Sequence, residues 1–207
     1  MKKSKEVFLG CVYRNIHRKG ITEFMEWLDH DTDFFTAPAS TKYHGACEGG
    51  LVSHSLAVYN RAFALNGLFD LGLDKSSLAI ATLFHDICKC NFYTKELKNK
   101  KVYITQDEAA QIDKSRVRFD NGGAYIWEQV EAYTVNEKEK FGGHGSKSVY
   151  LLMKFLNLSL EEAAAINCHM GAYDMSTYSK PSDVYQVNKL AFIVHLADEV
   201  ATFIDET

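Results

Sequence analysis

The sequence predicts an all-α protein carrying a small inserted β-hairpin, and three observations support this. Only two prolines, Pro38 and Pro181, interrupt 207 residues. Apolar residues recur at helical spacing through most of the chain. One stretch, about residues 100–137, changes to β-branched and aromatic residues in partial alternation, with Asn121, Gly122 and Gly123 placed to make a turn.

Two short helices are expected at about 5–17 and 21–30. The turn-rich segment DTDFFTAPASTKYHGACEGG follows, and its Phe34, Phe35 and Tyr43 suit an ordered loop packed on the body. From Gly50 to about Asn66, Leu51, His54, Ser55, Val58, Ala62 and Leu65 fall on one helical face, which turns His54 inward. Residues 75–89, KSSLAIATLFHDICK, are apolar nearly all round, as in a central helix buried on every side, and His85 and Asp86 stand near its end. A helix is expected from His144 to about Leu156. Ser159 and Glu162 have capping-box spacing at the start of another, with Gly171 placed to end it. The last, about Val184 to Ile204, buries Leu190, Ile193, Val194, Ala197, Ala201 and Ile204, with Asp198 at the edge of that stripe. The whole reads as one domain, with N-terminal helices to about residue 34, a core over 35–204 and the hairpin too small to count separately.

Composition narrows the function classes. At 46% hydrophobic and 24% charged residues the chain is an ordinary globular protein, and a formal net charge of -4 offers no general attraction for nucleic acid or an anionic membrane. Any phosphate must therefore be captured locally. Five cysteines, an odd number without a CxxC pair, read as reduced thiols, and neither a secretory leader nor a membrane span is recognisable, so a cytoplasmic location is expected.

Histidine and aspartate on buried helix faces are costly unless hydrogen-bonded, paired or bound to metal. Here His54, His85, Asp86, His144, His169 and Asp198 are spread over five predicted helices. Taken singly, His144 or His169 reads more readily as a satisfied core histidine; the combination shifts the balance. Consecutive side chains on a helix diverge by about 100°, so His85 and Asp86 can serve two metals or opposite sides of one. Imidazole with carboxylate suits Mn, Fe, Co, Ni or Zn better than Ca.

The ordered pattern of one His, then His-Asp, then two further His and a distal Asp resembles the HD superfamily of metal-dependent phosphohydrolases, whose core is a helical bundle. Locally, TAPASTKYHGACEGGLVSHS is similar to the start of the HD domain in certain bacterial 3'-5' exoribonucleases. The resemblance spans roughly residues 35–204, the hairpin excepted. It implies that His54, His85, Asp86 and Asp198 form one metal site and that Asp86 bridges to a second completed by His144 and His169. One or two divalent ions (Mn, Fe, Co, Ni, Zn or Mg) are the implied cofactors. A water shared between them would lose its proton near neutral pH and act as nucleophile. Asp86 and Lys89 are then the catalytic candidates, and Lys89, Lys147 and His44 the substrate-binding ones.

The bland reading of Lys89 is a solvated lysine favoured by a helix C-terminus, and the two readings weigh equally; Lys147 has the same ambiguity. His44 can equally serve a loop hydrogen bond. His195 reads as a buried polar group with a partner, and Cys88 and Cys90 carry little weight as ligands because thiolates favour structural zinc.

The expected reaction is hydrolysis of a phosphoester or phosphoanhydride in a nucleotide or other small phosphorylated molecule. The alternatives are a di-iron oxygenase of HD type, a 3'-5' exonuclease, or a non-catalytic nucleotide-binding module. Nucleic acid is the less favoured partner, since no oligonucleotide-binding barrel precedes the core. A homo-oligomer is compatible with the sequence.

Overall fold

The computed structural model describes residues 2–43, 45–173 and 180–205. Predominantly helical, it contains among those residues nine α-helices: α1 (Lys2–Asn15), α2 (Ile21–His30), α3 (Gly50–Leu68), α4 (Lys75–Leu83), α5 (Gln106–Gln111), α6 (His144–Leu152), α7 (Leu160–Asn167), α8 (Pro181–Val187) and α9 (Lys189–Val200). Three strands, β1 (Tyr93–Tyr103), β2 (Arg118–Asp120) and β3 (Gly123–Val135), form one sheet in the order β1-β3-β2. The chain divides into two compact units, residues 1–93 with 135–207, and residues 94–134. No described helix is long and apolar enough to cross a membrane.

In the helical unit, α3, α4 and α9 pack together, and α7 packs on α4, α6 and α9. The predicted stripe of α3 is its buried face, with Leu51, His54, Ser55, Val58 and Ala62 inaccessible and Leu65 at the margin. The loop before α3 needs glycine at residue 50, because a Cβ there would stand 1.9 Å from the Gly45 carbonyl oxygen.

The N-terminal helices clamp the end of α4. Phe84, fully buried, has its ring 4.8 Å from Phe24 and 5.9 Å from Phe8. Such aromatic packing contributes roughly 0.5–1.5 kcal/mol per pair beyond area burial, and it anchors the residue just before His85.

Two boundaries depart from expectation. Helix α4 stops at Leu83, and a 3-10 turn at Ile87–Lys89 follows, so His85 and Asp86 lie in the bend between them rather than on a continuous helix. The apolar run continues through both and hides the break. Likewise the final helical segment is divided at Asn188, whose extended backbone ends α8 while its side-chain oxygen accepts from the Ala191 N–H to cap α9. The capping box at Ser159 and Glu162 forms as read, but α7 ends at Asn167, and Gly171 belongs to the short turn beyond.

The smaller unit is more than a hairpin. Residues 121–122 turn between β2 and β3, which pair antiparallel with Asp120 opposite Gly123. Strand β1 adds a third member on the other side of β3, where Thr94 meets Thr134 and the Ile104 N–H reaches the Ala124 carbonyl. Its sequence, YTKELKNKKVY, is exposed along most of its length. With neither face buried, no alternation of apolar and polar residues was imposed, and only its last residues, from about Lys100, announce the strand. Tyr125 packs edge-on to Trp127 and lies under the Lys101 ammonium.

Candidate metal centre

The bend after α4 delivers His85 and Asp86 to the middle of the helical unit, where α3 brings His54, α9 brings Asp198 and the segment after α7 brings His169. All five are buried. The Nε2 atoms of His54 and His85 are 3.3 Å apart, and His54 Nε2 is 3.1 Å from Asp198 Oδ1. His85 Nε2 lies 3.5 Å from Asp86 Oδ2. Oδ1 of the same carboxylate faces the other way, 3.4 Å from His169 Nε2.

Backbone carbonyls set the tautomers. His85 Nδ1 is 2.7 Å from the Thr82 carbonyl oxygen, and His169 Nδ1 is 2.7 Å from that of Ile166. A carbonyl only accepts, so each Nδ1 carries the proton and each Nε2 presents its lone pair to the cluster. This is the orientation metal-binding histidines require. His169 Nε2 is fully buried and has no hydrogen-bond partner among the described residues, since Asp86 is near but poorly aligned.

The electrostatics favour a cation. Burial by itself raises the Asp86 carboxyl, but the Lys89 ammonium and the His85 and His169 imidazoles hold it well below the usual carboxylate range. Asp198 is likewise lowered against burial, by His54, His85 and His169. Burial lowers His169, but the Asp86 and Asp198 carboxylates outweigh it and raise the group. Within the cluster the two carboxylates, Asp86 and Asp198, thus stand against the ammonium of Lys89, whose Nζ is 2.6 Å from Asp86 Oδ2. The donor types, the presented lone pairs, the unpartnered His169 nitrogen and the excess negative charge all fit a divalent transition metal.

Three sets of residues have ligand atoms within 4.8 Å of one another: His54, His85 and Asp86; His85, His169 and Asp198; and Asp86, Cys88 and His144. His144, at the start of α6, and His169 therefore fall in different sets, with Asp86 adjoining both. Cys88, given little weight from sequence, lies beside His144. Its thiol is raised by burial and by the Asp86 charge. An apolar-looking ICKC run offers no sign of this contact, because it depends on a helix nearly sixty residues away.

The lysines are not solvated. Lys89 stays charged because Asp86 more than offsets its burial. Lys147 is buried too, and its ammonium is held by the Glu139 carbonyl at 2.8 Å and carboxylate at 3.1 Å. His195 belongs to none of the three sets: its Nδ1 is 2.7 Å from the backbone carbonyl of His169, and its ring stacks on Tyr185. His44 lies outside the described residues.

Two cavities open on the cluster. One of about 760 Å³ is lined by His54, Asp86, Lys89, Asp198 and Phe203 among others. The second, of about 570 Å³, is lined by Cys88, His144, Lys147, Phe92 and Tyr93 among others. Tyr43, Lys89 and Met170 line both. Burial pushes the Tyr93 phenol up to about 12, partly countered by Lys89, so it remains a neutral hydrogen-bonding group.

A family model described as HD domain matches residues 51–202, a span that holds all six candidate metal ligands. Neither the curated proteins nor the solved structures yield a match.

Proposed function

Because the chain belongs to the HD-domain family, we propose that it is a metal-dependent phosphohydrolase, cleaving a phosphoester or phosphoanhydride in a small phosphorylated molecule, with nucleotides the favoured class. The observation that carries this reading is the buried His54, His85, Asp86 and Asp198 cluster at the wall of a cavity, with histidine lone pairs turned inward. These four would hold one ion, and Asp86 Oδ1 would reach a second position flanked by His169 and His144. When bound, divalent cations would polarise phosphoryl oxygens and make water nucleophilic at neutral pH.

The protein's own groups supply the rest. Lys89 keeps its charge while buried beside Asp86 and lines both cavities, which suits it to meet the negative charge of a phosphoryl group. Lys147 adds a second ammonium farther along the second cavity, steadied by Glu139. Tyr93 offers a phenol that does not ionise at neutral pH. Asp86, Lys89 and Lys147 are buried, and charged groups interact more strongly there than in bulk water.

The test is a screen of metals against bis-p-nitrophenyl phosphate and a nucleotide panel, run also with Mn under nitrogen so that oxygenation cannot account for turnover. Cleavage is expected, with loss on chelation. Lys89→Met should retain bound metal yet lose at least about tenfold in kcat/KM, about 1.4 kcal/mol of transition-state stabilisation. No cleavage of any substrate with any metal would remove the proposal.

A further inference from the structure

Resting on the metal reading above, we infer that Cys88 is a thiolate ligand to the second metal position, completing with Asp86 Oδ1 and His144 a site that contains sulfur. Cys88 Sγ is 3.5 Å from His144 Nδ1 and 3.7 Å from Asp86 Oδ1. For an ion with bonds of about 2.3 Å to sulfur and about 2.0 Å to nitrogen or oxygen, ligands in tetrahedral directions stand roughly 3.5 Å apart. Both separations match that value.

The placement of the thiol is built into the fold. The 3-10 turn at Ile87–Lys89 sits against α6, and the Cys88 backbone N–H donates to Ser148 Oγ at 3.2 Å. Ser148 is fully buried and one helical turn beyond His144, so this bond fixes the register of Cys88 against His144. The sulfur thus faces a carboxylate and an imidazole, whereas an inert buried cysteine packs among apolar groups. The same Asp86 Oδ1 also has the fully buried His169 Nε2 3.4 Å away, a nitrogen with no hydrogen-bond partner among the described residues. Cys88 and His144 also line the second cavity, which leaves that position approachable by substrate.

A cation deprotonates a coordinating thiol outright, releasing one proton and adding one metal–sulfur bond. The consequence is selectivity. Sulfur draws Zn, Co or Fe to this position over Mg or Mn, whereas the His54, His85, Asp86 and Asp198 position offers nitrogen and oxygen alone.

The experiment is titration of metal-free protein with Co(II), following bound stoichiometry and near-ultraviolet absorption. The wild-type protein should bind two ions and develop a thiolate-to-cobalt charge-transfer band with one of them. Cys88→Ser and Cys88→Ala should lose the band and bind that ion at least about tenfold more weakly, leaving the other unchanged. A band absent from the wild-type protein, or persisting in both variants, overturns the assignment. If cobalt is still bound in either case, the metal reading stands on its nitrogen and oxygen ligands; a protein that takes up no cobalt loses both. Should both variants fail to fold, cobalt-edge X-ray absorption of the wild-type protein decides, by the presence or absence of a sulfur scatterer at roughly 2.3 Å.

Discussion

Glu162 and Asp86 are both buried carboxylates, but they face different surroundings. Asp86 stands among imidazoles and one ammonium with an oxygen turned each way, whereas Glu162 has every demand met by protein. Arg18 approaches it with two nitrogens, at 2.8 Å and 2.5 Å, and the Ser159 N–H donates to it at 2.9 Å in the capping box of α7. Burial raises its carboxyl, and these donors, Arg18 foremost, bring it below the usual value. A depressed folded-state pKa gives stability that is fully present above the unfolded value, roughly pH 4.3, and is lost as pH falls through the folded value. Glu162→Gln, which cannot titrate, should therefore lose about 2–4 kcal/mol at neutral pH, and its deficit against wild type should shrink as unfolding is measured from pH 5 to pH 3. A deficit constant across that range would show that the charge contributes nothing.

At the scale of elements, close approach of backbones sets where ligands stand. Gly145, directly after His144, lets α6 lie against the end of α7: a Cβ there would be 2.3 Å from the Asn167 carbonyl oxygen. Gly145→Ala should cost about 1–3 kcal/mol in urea unfolding and displace His144 from Cys88. Gly10 is the contrast, since a Cβ on that exposed position of α1 meets nothing within 4 Å, and Gly10→Ala should stabilise by roughly 0.5–1 kcal/mol. The face of α3 that turns His54 inward, the capping box of α7 and the turn after Asp120 were all legible, because each is written in local spacing. The stop of α4 before His85 was not, since periodicity reports which face is buried and says nothing of where backbone hydrogen bonds end. Cys88 was illegible for a different reason: its significance arises only when the turn after α4 docks on α6.

At the scale of the whole molecule, the two ends of the smaller unit meet, with Thr94 and Thr134 hydroxyl oxygens 3.0 Å apart. The helical unit is likewise joined just outside them, the Asn136 N–H donating to the Phe92 carbonyl at 2.8 Å. Replacing residues 94–134 by an Asn-Gly turn should therefore leave a helical protein that still takes up metal, as read by circular dichroism and elemental analysis. Loss of the helical fold on excision would show that the smaller unit is needed for it. The family match reaches across this segment, from residue 51 to 202, while all six candidate ligands belong to the helical unit, which is why sequence could collect them without knowing the sheet.

Lys89, Tyr43 and Met170 border both cavities, so the proposed metal site has two mouths and a shared threshold. A molecule severed beside Asp86 could then shed its halves in separate directions, each leaving without waiting for the other. In such an arrangement a phosphate analogue lodged in one mouth would slow release of its own fragment while the opposite exit continued to clear.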